Sequence, residues 1–197
     1  MDALIALLTA ALALMGSPGP ATLSSAATGA AFGARTGLPY VIGISLGTAT
    51  VVAAVAVGIT GLVLSIPGLA RVVTVLAAAY IVYLSWKIAN SPPLGALERA
   101  DDAPPLIAGY LLAIANPKAY AAIGALFSGF ELVESNPVSD NLMKFVILAP
   151  LAFVINLIWM RIGSLLASSL HSPRSNRLVN LGFAIALIAS VAATFIL

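Results

Sequence analysis

The sequence predicts an all-α polytopic membrane protein. Six transmembrane helices form two inverted three-helix repeats, with spans one and four broken at proline motifs. Three observations lead there. The 197 residues are 61% hydrophobic and only 8% charged, with mean hydropathy +1.08, whereas a water-soluble domain needs about a quarter charged residues to cover its surface. Apolar stretches of the roughly 20 residues that cross a bilayer recur six times. Ser17-Pro18-Gly19-Pro20 and Asn116-Pro117-Lys118 interrupt the first and fourth of them, about half a chain apart.

Span one is expected from Ala3 to Gly29, through its break, and span two from Leu38 to Leu64. Span three covers Leu69 to Ile88. The polar loop 91–105 follows, with Pro92, Pro93, Glu98, Arg99, Asp101 and Asp102. Span four runs from Leu106 to Phe130, again through a break, and Glu131 to Asp140 is an acidic loop. Span five covers Leu142 to Leu170 and span six Leu178 to Leu197. Residues 1–197 are thus read as one transmembrane transport domain with approximate repeats 1–90 and 106–197. Three spans per repeat make the copies inverted, a common transporter plan. Arg35, Lys87, Arg99, Arg174 and Arg177 flank one set of loops, and Arg71 and Lys144 the other. Basic residues favour the cytoplasmic side, so both termini are expected outside.

Composition also excludes. A net charge of +2 without a basic run argues against nucleic acid. With no cysteine and His171 as the sole histidine, no thiolate or histidine metal site can form. The spans hold no acidic cluster for a divalent cation, and no cofactor is expected. The acidic start Met1-Asp2-Ala3 is unlike a signal peptide.

The breaks carry the chemistry. Proline lacks the N–H a helix interior needs and clashes with the preceding turn. Lipid tolerates the freed backbone groups only inside protein or beside a polar cavity. Ser17 is read as an N-cap with Pro18 in the first helical position and Pro20 in the first turn; Asn116 and Pro117 repeat that arrangement. Each second half-helix then points its positive end inward, which suits a carboxylate. Carbonyls of Leu14, Gly16 and Ala113, deprived of partners, suit an ammonium. Together these fit a free amino acid or similar small zwitterion. The alternative is a mere kink.

Lys118 adds weight, because a charge near mid-membrane costs about 2.5–3.5 kcal/mol on insertion scales; its alternative is to snorkel. The candidate substrate site is therefore Gly16, Ser17, Pro18, Gly19, Pro20, Asn116, Pro117 and Lys118, with Thr48 as a further lining residue. No Asp or Glu falls mid-span, so Lys118 is also the coupling candidate. Proton exchange by Lys118 and a permanently charged, carboxylate-binding Lys118 both stay open.

Other patterns are weaker. Gly43-Ile44-Ser45-Leu46-Gly47 matches a serine-nucleophile pattern that needs a strand–turn–helix setting; in an apolar helix it reads as a small-residue packing face. Asn156 either lines a path or bonds a neighbouring helix. Arg161 is expected to snorkel, and Tyr83, Trp86 and Lys87 to anchor span three at the interface.

With these residues placed, the chain resembles the LysE/RhtB superfamily of amino-acid exporters over nearly its whole length. The resemblance rests on Pro18-Gly19-Pro20, Gly33-Ala34-Arg35-Thr36-Gly37 leading to Gly43 and Gly47, Ala79 to Lys87, Gly109 followed by Asn116-Pro117-Lys118-Ala119, and Gly182. Thr48 stands where members often carry a polar or acidic residue, and Gly129-Phe130-Glu131 where many have a proline-containing span ending. The resemblance implies a six-span inverted repeat in the cytoplasmic membrane. It also implies proton-driven efflux of small solutes, usually amino acids, and no enzymatic activity. The partners so implied are an amino-acid substrate and the lipid bilayer; a homo-oligomer is compatible with it. A membrane enzyme using Ser45, a passive channel and an assembly factor are the competing classes.

Overall fold

Eight helices make up most of the residues that the computed structural model describes, which are 2–58, 68–90, 103–134, 136–168 and 173–196. They are α1 (Asp2–Gly16), α2 (Pro20–Phe32), α3 (Ala34–Ala56), α4 (Leu69–Ala89), α5 (Leu106–Ile114), α6 (Pro117–Gly129), α7 (Pro137–Ser168) and α8 (Pro173–Ile196). No strand occurs among the described residues. The outer part of the expected span two (59–64), most of the polar loop with Arg99, and His171 lie outside the described residues.

Both proline motifs do break their helices. The axes of α1 and α2 meet at 61°, and those of α5 and α6 at 59°. α3 and α7 are each long and apolar enough to cross a membrane, and each bent pair qualifies if it is counted as one span. The described residues are thus all-helical in their regular structure, with two to four membrane spans by length and composition.

A single residue, Gly33, separates α2 from α3. Gly33 sits at φ 80°, a conformation that disfavours a side chain, and its N–H still closes the last turn of α2 on Gly29 O at 3.0 Å. α2 is built of small and apolar residues with four hydroxyl side chains, Thr22, Ser24, Ser25 and Thr28, and is buried along nearly its whole length.

Two cores lie on opposite sides of the breaks. The first joins Leu23, Ala27 and Phe32 of α2 to Tyr40 and Ile44 of α3, Leu84 and Ile88 of α4, Leu112 of α5 and Leu187 of α8. The second joins Leu7 and Ala11 of α1 to Val51 and Val52 of α3, Ile123 and Leu126 of α6, and Leu148 of α7. α3 and α7 run through both levels and tie the ends together.

One expectation needs correcting. The sequence pattern ends the acidic loop at Asp140, with Lys144 beside it at the surface, but α7 begins at Pro137. Asn136 caps it, its Oδ1 accepting from Ser139 N at 3.1 Å. Asp140 and Lys144 are thereby drawn into the first turns, where they form a buried ion pair at 2.6 Å. Lys144 Nζ also donates to Phe127 O at 2.9 Å, near the end of α6, while Asp140 Oδ1 accepts from Leu132 N and Val133 N. Every charged atom finds a partner, which is what makes burial of the pair tolerable.

Candidate functional site

The two breaks face each other. Asn116 behaves as its position predicts: it caps α6, its Oδ1 accepting from Lys118 N at 3.1 Å, with Pro117 at the first helical position. The first break is built differently. Gly19, not Ser17, is the N-cap of α2, and Pro20, not Pro18, opens that helix. Thr22 Oγ1 accepts from Gly19 N at 3.0 Å, so the cap bond comes from three residues into the helix, as in half of a capping box. Ser17 turns back instead, its hydroxyl donating to Leu14 O at 2.9 Å.

Lys118 joins the breaks. Its Nζ donates to Ser17 O at 2.7 Å and Pro18 O at 3.1 Å, and lies 2.8 Å from Ser17 Oγ. The stem of the lysine crosses Gly19, where a Cβ would come within 2.7 Å of Lys118 Cδ and 2.9 Å of Nζ. Gly19 is extended at φ −177°, so a side chain there would not strain the backbone but would push the end of Lys118 aside. The carbonyls expected to await a ligand are all taken: Leu14 O accepts from the Ser17 hydroxyl, Gly16 O from Trp159 Nε1 at 3.0 Å, and Ala113 O from Asn116 N at 3.2 Å. The carbonyls of Ser17 and Pro18 hold the protein's own ammonium, and Ser17 O also accepts from Thr22 Oγ1 at 3.2 Å.

Beside this junction lies a cavity with about 460 Å³ of empty space, including its opening to solvent. Of the expected site residues Gly19, Thr48, Asn116 and Lys118 line it; Gly16, Ser17, Pro18, Pro20 and Pro117 stand behind. Thr22, which the sequence pattern does not single out, also lines it, as does Asn156, for which that pattern leaves a path-lining and a helix-bonding role open. Thr22 could have been found as the residue three after the true cap. Asn156 is buried, with Nδ2 donating to Ala152 O at 2.8 Å and Oδ1 accepting from Ser25 Oγ at 3.2 Å. Among the described residues no carboxylate lines the cavity. The Lys118 charge is therefore offset there by carbonyl dipoles, and the cavity favours an anionic group.

The sequence pattern of the LysE type translocators matches residues 12–197. The chain belongs to that family. Members of that family are membrane transporters, and membership points to efflux of small solutes. No curated protein and no solved structure matches it. The serine-nucleophile pattern fares accordingly: Ser45 lies inside α3, its hydroxyl donating to Val41 O at 2.8 Å, while Gly43 and Gly47 pack against α5. Arg161 is exposed, as are Tyr83 and Trp86.

Proposed function

We propose that this translocator exports small zwitterionic solutes, amino acids foremost, from the cytoplasm across the cytoplasmic membrane by alternating access. The observation that carries the reading is the Lys118 ammonium, held between two broken helices at the edge of a cavity that no described carboxylate lines. A substrate carboxylate pairs with Lys118 and draws it from the Ser17 and Pro18 carbonyls, which are then free to receive the substrate's ammonium. Thr48, Thr22, Asn116 and Asn156 supply further polar contacts. Charged hydrogen bonds of this kind each contribute about 1.5–3 kcal/mol, so the exchange of partners is nearly balanced and the site can both load and release.

In this reading α4 and α8 complete six spans as two inverted triplets, and both termini lie outside. Counterflow in proteoliposomes against a panel of labelled amino acids, with and without a pH gradient, tests the function. Exchange of at least one amino acid is expected; exchange of none across the panel would sink the reading. Single-cysteine labelling tests the orientation, since the chain has no cysteine of its own. Positions 35 and 174 are expected to react only from the cytoplasmic side and 134 only from outside.

A further inference from the structure

The glycines are used unequally on the two sides of the breaks. On the side of α2 and α5 they bring backbones into contact. A Cβ on Gly163 of α7 would overlap Ala26 O of α2, and one on Gly29 would overlap Met160 O of α7. On the other seam a Cβ on Gly43 would overlap Leu106 O, one on Gly109 would overlap Tyr40 O, and one on Gly47 would lie 2.6 Å from Tyr110 O. On the side of α1 and α6, Gly124 and Gly129 meet nothing within 4 Å. The cavity leans the same way: Leu14 and Met15 of α1 and Ala119, Ala122 and Ile123 of α6 line it, whereas α2 contributes only Ala21 and Thr22 of its first turn and α5 nothing.

We infer that this is the state in which the pocket is reached from the side of α1 and α6 and shut on the side of α2 and α5. The closure is made by two glycine seams, α2 on α7 and α3 on α5. The inference rests on the alternating-access reading, in which these seams must part for the pocket to be reached from the other side. They are suited to parting. Backbone-to-backbone packing at small residues separates without unthreading long side chains. Thr28 Oγ1, buried in α2, has no hydrogen-bond partner among the described residues, and opening would hydrate it. The Ser25–Asn156 bond crosses the α2–α7 seam where it meets the cavity, so a ligand touching Asn156 acts directly on the closure. With both termini outside, the open side is the external one.

Single-cysteine labelling with a membrane-impermeant thiol reagent, in right-side-out and inside-out vesicles, tests this. Ala119→Cys, in the cavity, is expected to react at least about tenfold faster from the face that carries Leu4 and Val138 than from the face that carries Arg35. Ala27→Cys, buried beside the α2–α7 seam, is expected to react from neither. Adding Gly163→Ala, or independently Gly43→Ala, is expected to expose Ala27→Cys to the Arg35 face, and Gly124→Ala is not. Faster reaction of Ala119→Cys from the Arg35 face would overturn the inference. So would an unreactive Ala27→Cys in inserted protein carrying either seam variant, or an equal effect of Gly124→Ala. The Ala119 comparison uses neither seam variant and stands if both misfold. Labelling does not read flux: an intact labelling pattern without counterflow removes the transport reading alone, whereas counterflow with the faces exchanged removes only the assignment of the shut side.

Discussion

The two breaks solve one problem in different ways. The second is self-sufficient: Asn116 caps its own half-helix, and Pro117 takes a position where a missing N–H costs nothing. The first closes its N-cap through Thr22 but leaves the carbonyls of Ser17 and Pro18 to Lys118, about a hundred residues away in sequence. One break is therefore rigid and carries the charge; the other is held by that charge. A ligand that competes for Lys118 loosens the first break and leaves the second intact, so a motion driven by substrate should start at Ser17 to Gly19.

The largest effect that could break this comparison is expected from Lys118→Ala. It removes the charge and takes the charged donor from the carbonyls of Ser17 and Pro18. Each charged hydrogen bond so removed is worth about 1.5–3 kcal/mol, or roughly 10- to 100-fold in binding. Counterflow should fall to background while membrane insertion, which no longer carries a mid-membrane charge, stays at the parental level. Parental flux would mean that the junction is merely structural.

Gly19→Ala comes next. Its Cβ would displace the lysine stem, and a shift of about 1 Å in a binding group can cost on the order of 100-fold in rate. Gly124→Ala, which adds a methyl to open space, is the matched comparison, and its initial rate of exchange should equal the parent's.

Lys118→Arg sharpens the role of the charge. Arginine keeps the charge but is effectively never deprotonated. Counterflow should persist while acceleration by a pH gradient disappears if the lysine carries the proton; gradient-driven accumulation by this variant would assign the lysine to binding alone.

Asn116→Ala is expected to be the mildest. Loss of an N-cap costs about 0.5–2 kcal/mol, which should appear as a lowered thermal midpoint in detergent with counterflow reduced only a few-fold. Asn116→Ser should recover most of that loss.

Much of the site is legible in the sequence because broken helices in lipid leave a local signature. Pro18, Pro20 and Pro117 forbid continuous helix wherever they fall, and a lone lysine between apolar residues marks a polar interior. Asn116 is legible as a cap since its side chain bonds two residues ahead. Ser17 misleads for the complementary reason. Several consecutive residues in Ser-Pro-Gly-Pro can cap, and the choice of Gly19 depends on Thr22 behind it and on Lys118 lying across it. Asp140 and Lys144 look like loop residues, although Asn136-Pro137 is as good a helix start as Asn116-Pro117.

By itself the sequence determined the helical membrane class, the positions of both breaks, the family and the charge at the centre, because proline geometry and the cost of burying a charge in lipid act on a few residues at a time. The tertiary structure decided which atoms answer that charge, which residues line the cavity and which side is shut. Those depend on backbone approach between distant segments, Gly163 to Ala26 and Gly43 to Leu106, and on Lys118 reaching Ser17. No local pattern encodes such distances; they exist only once α3 and α7 have brought the two halves of the chain together.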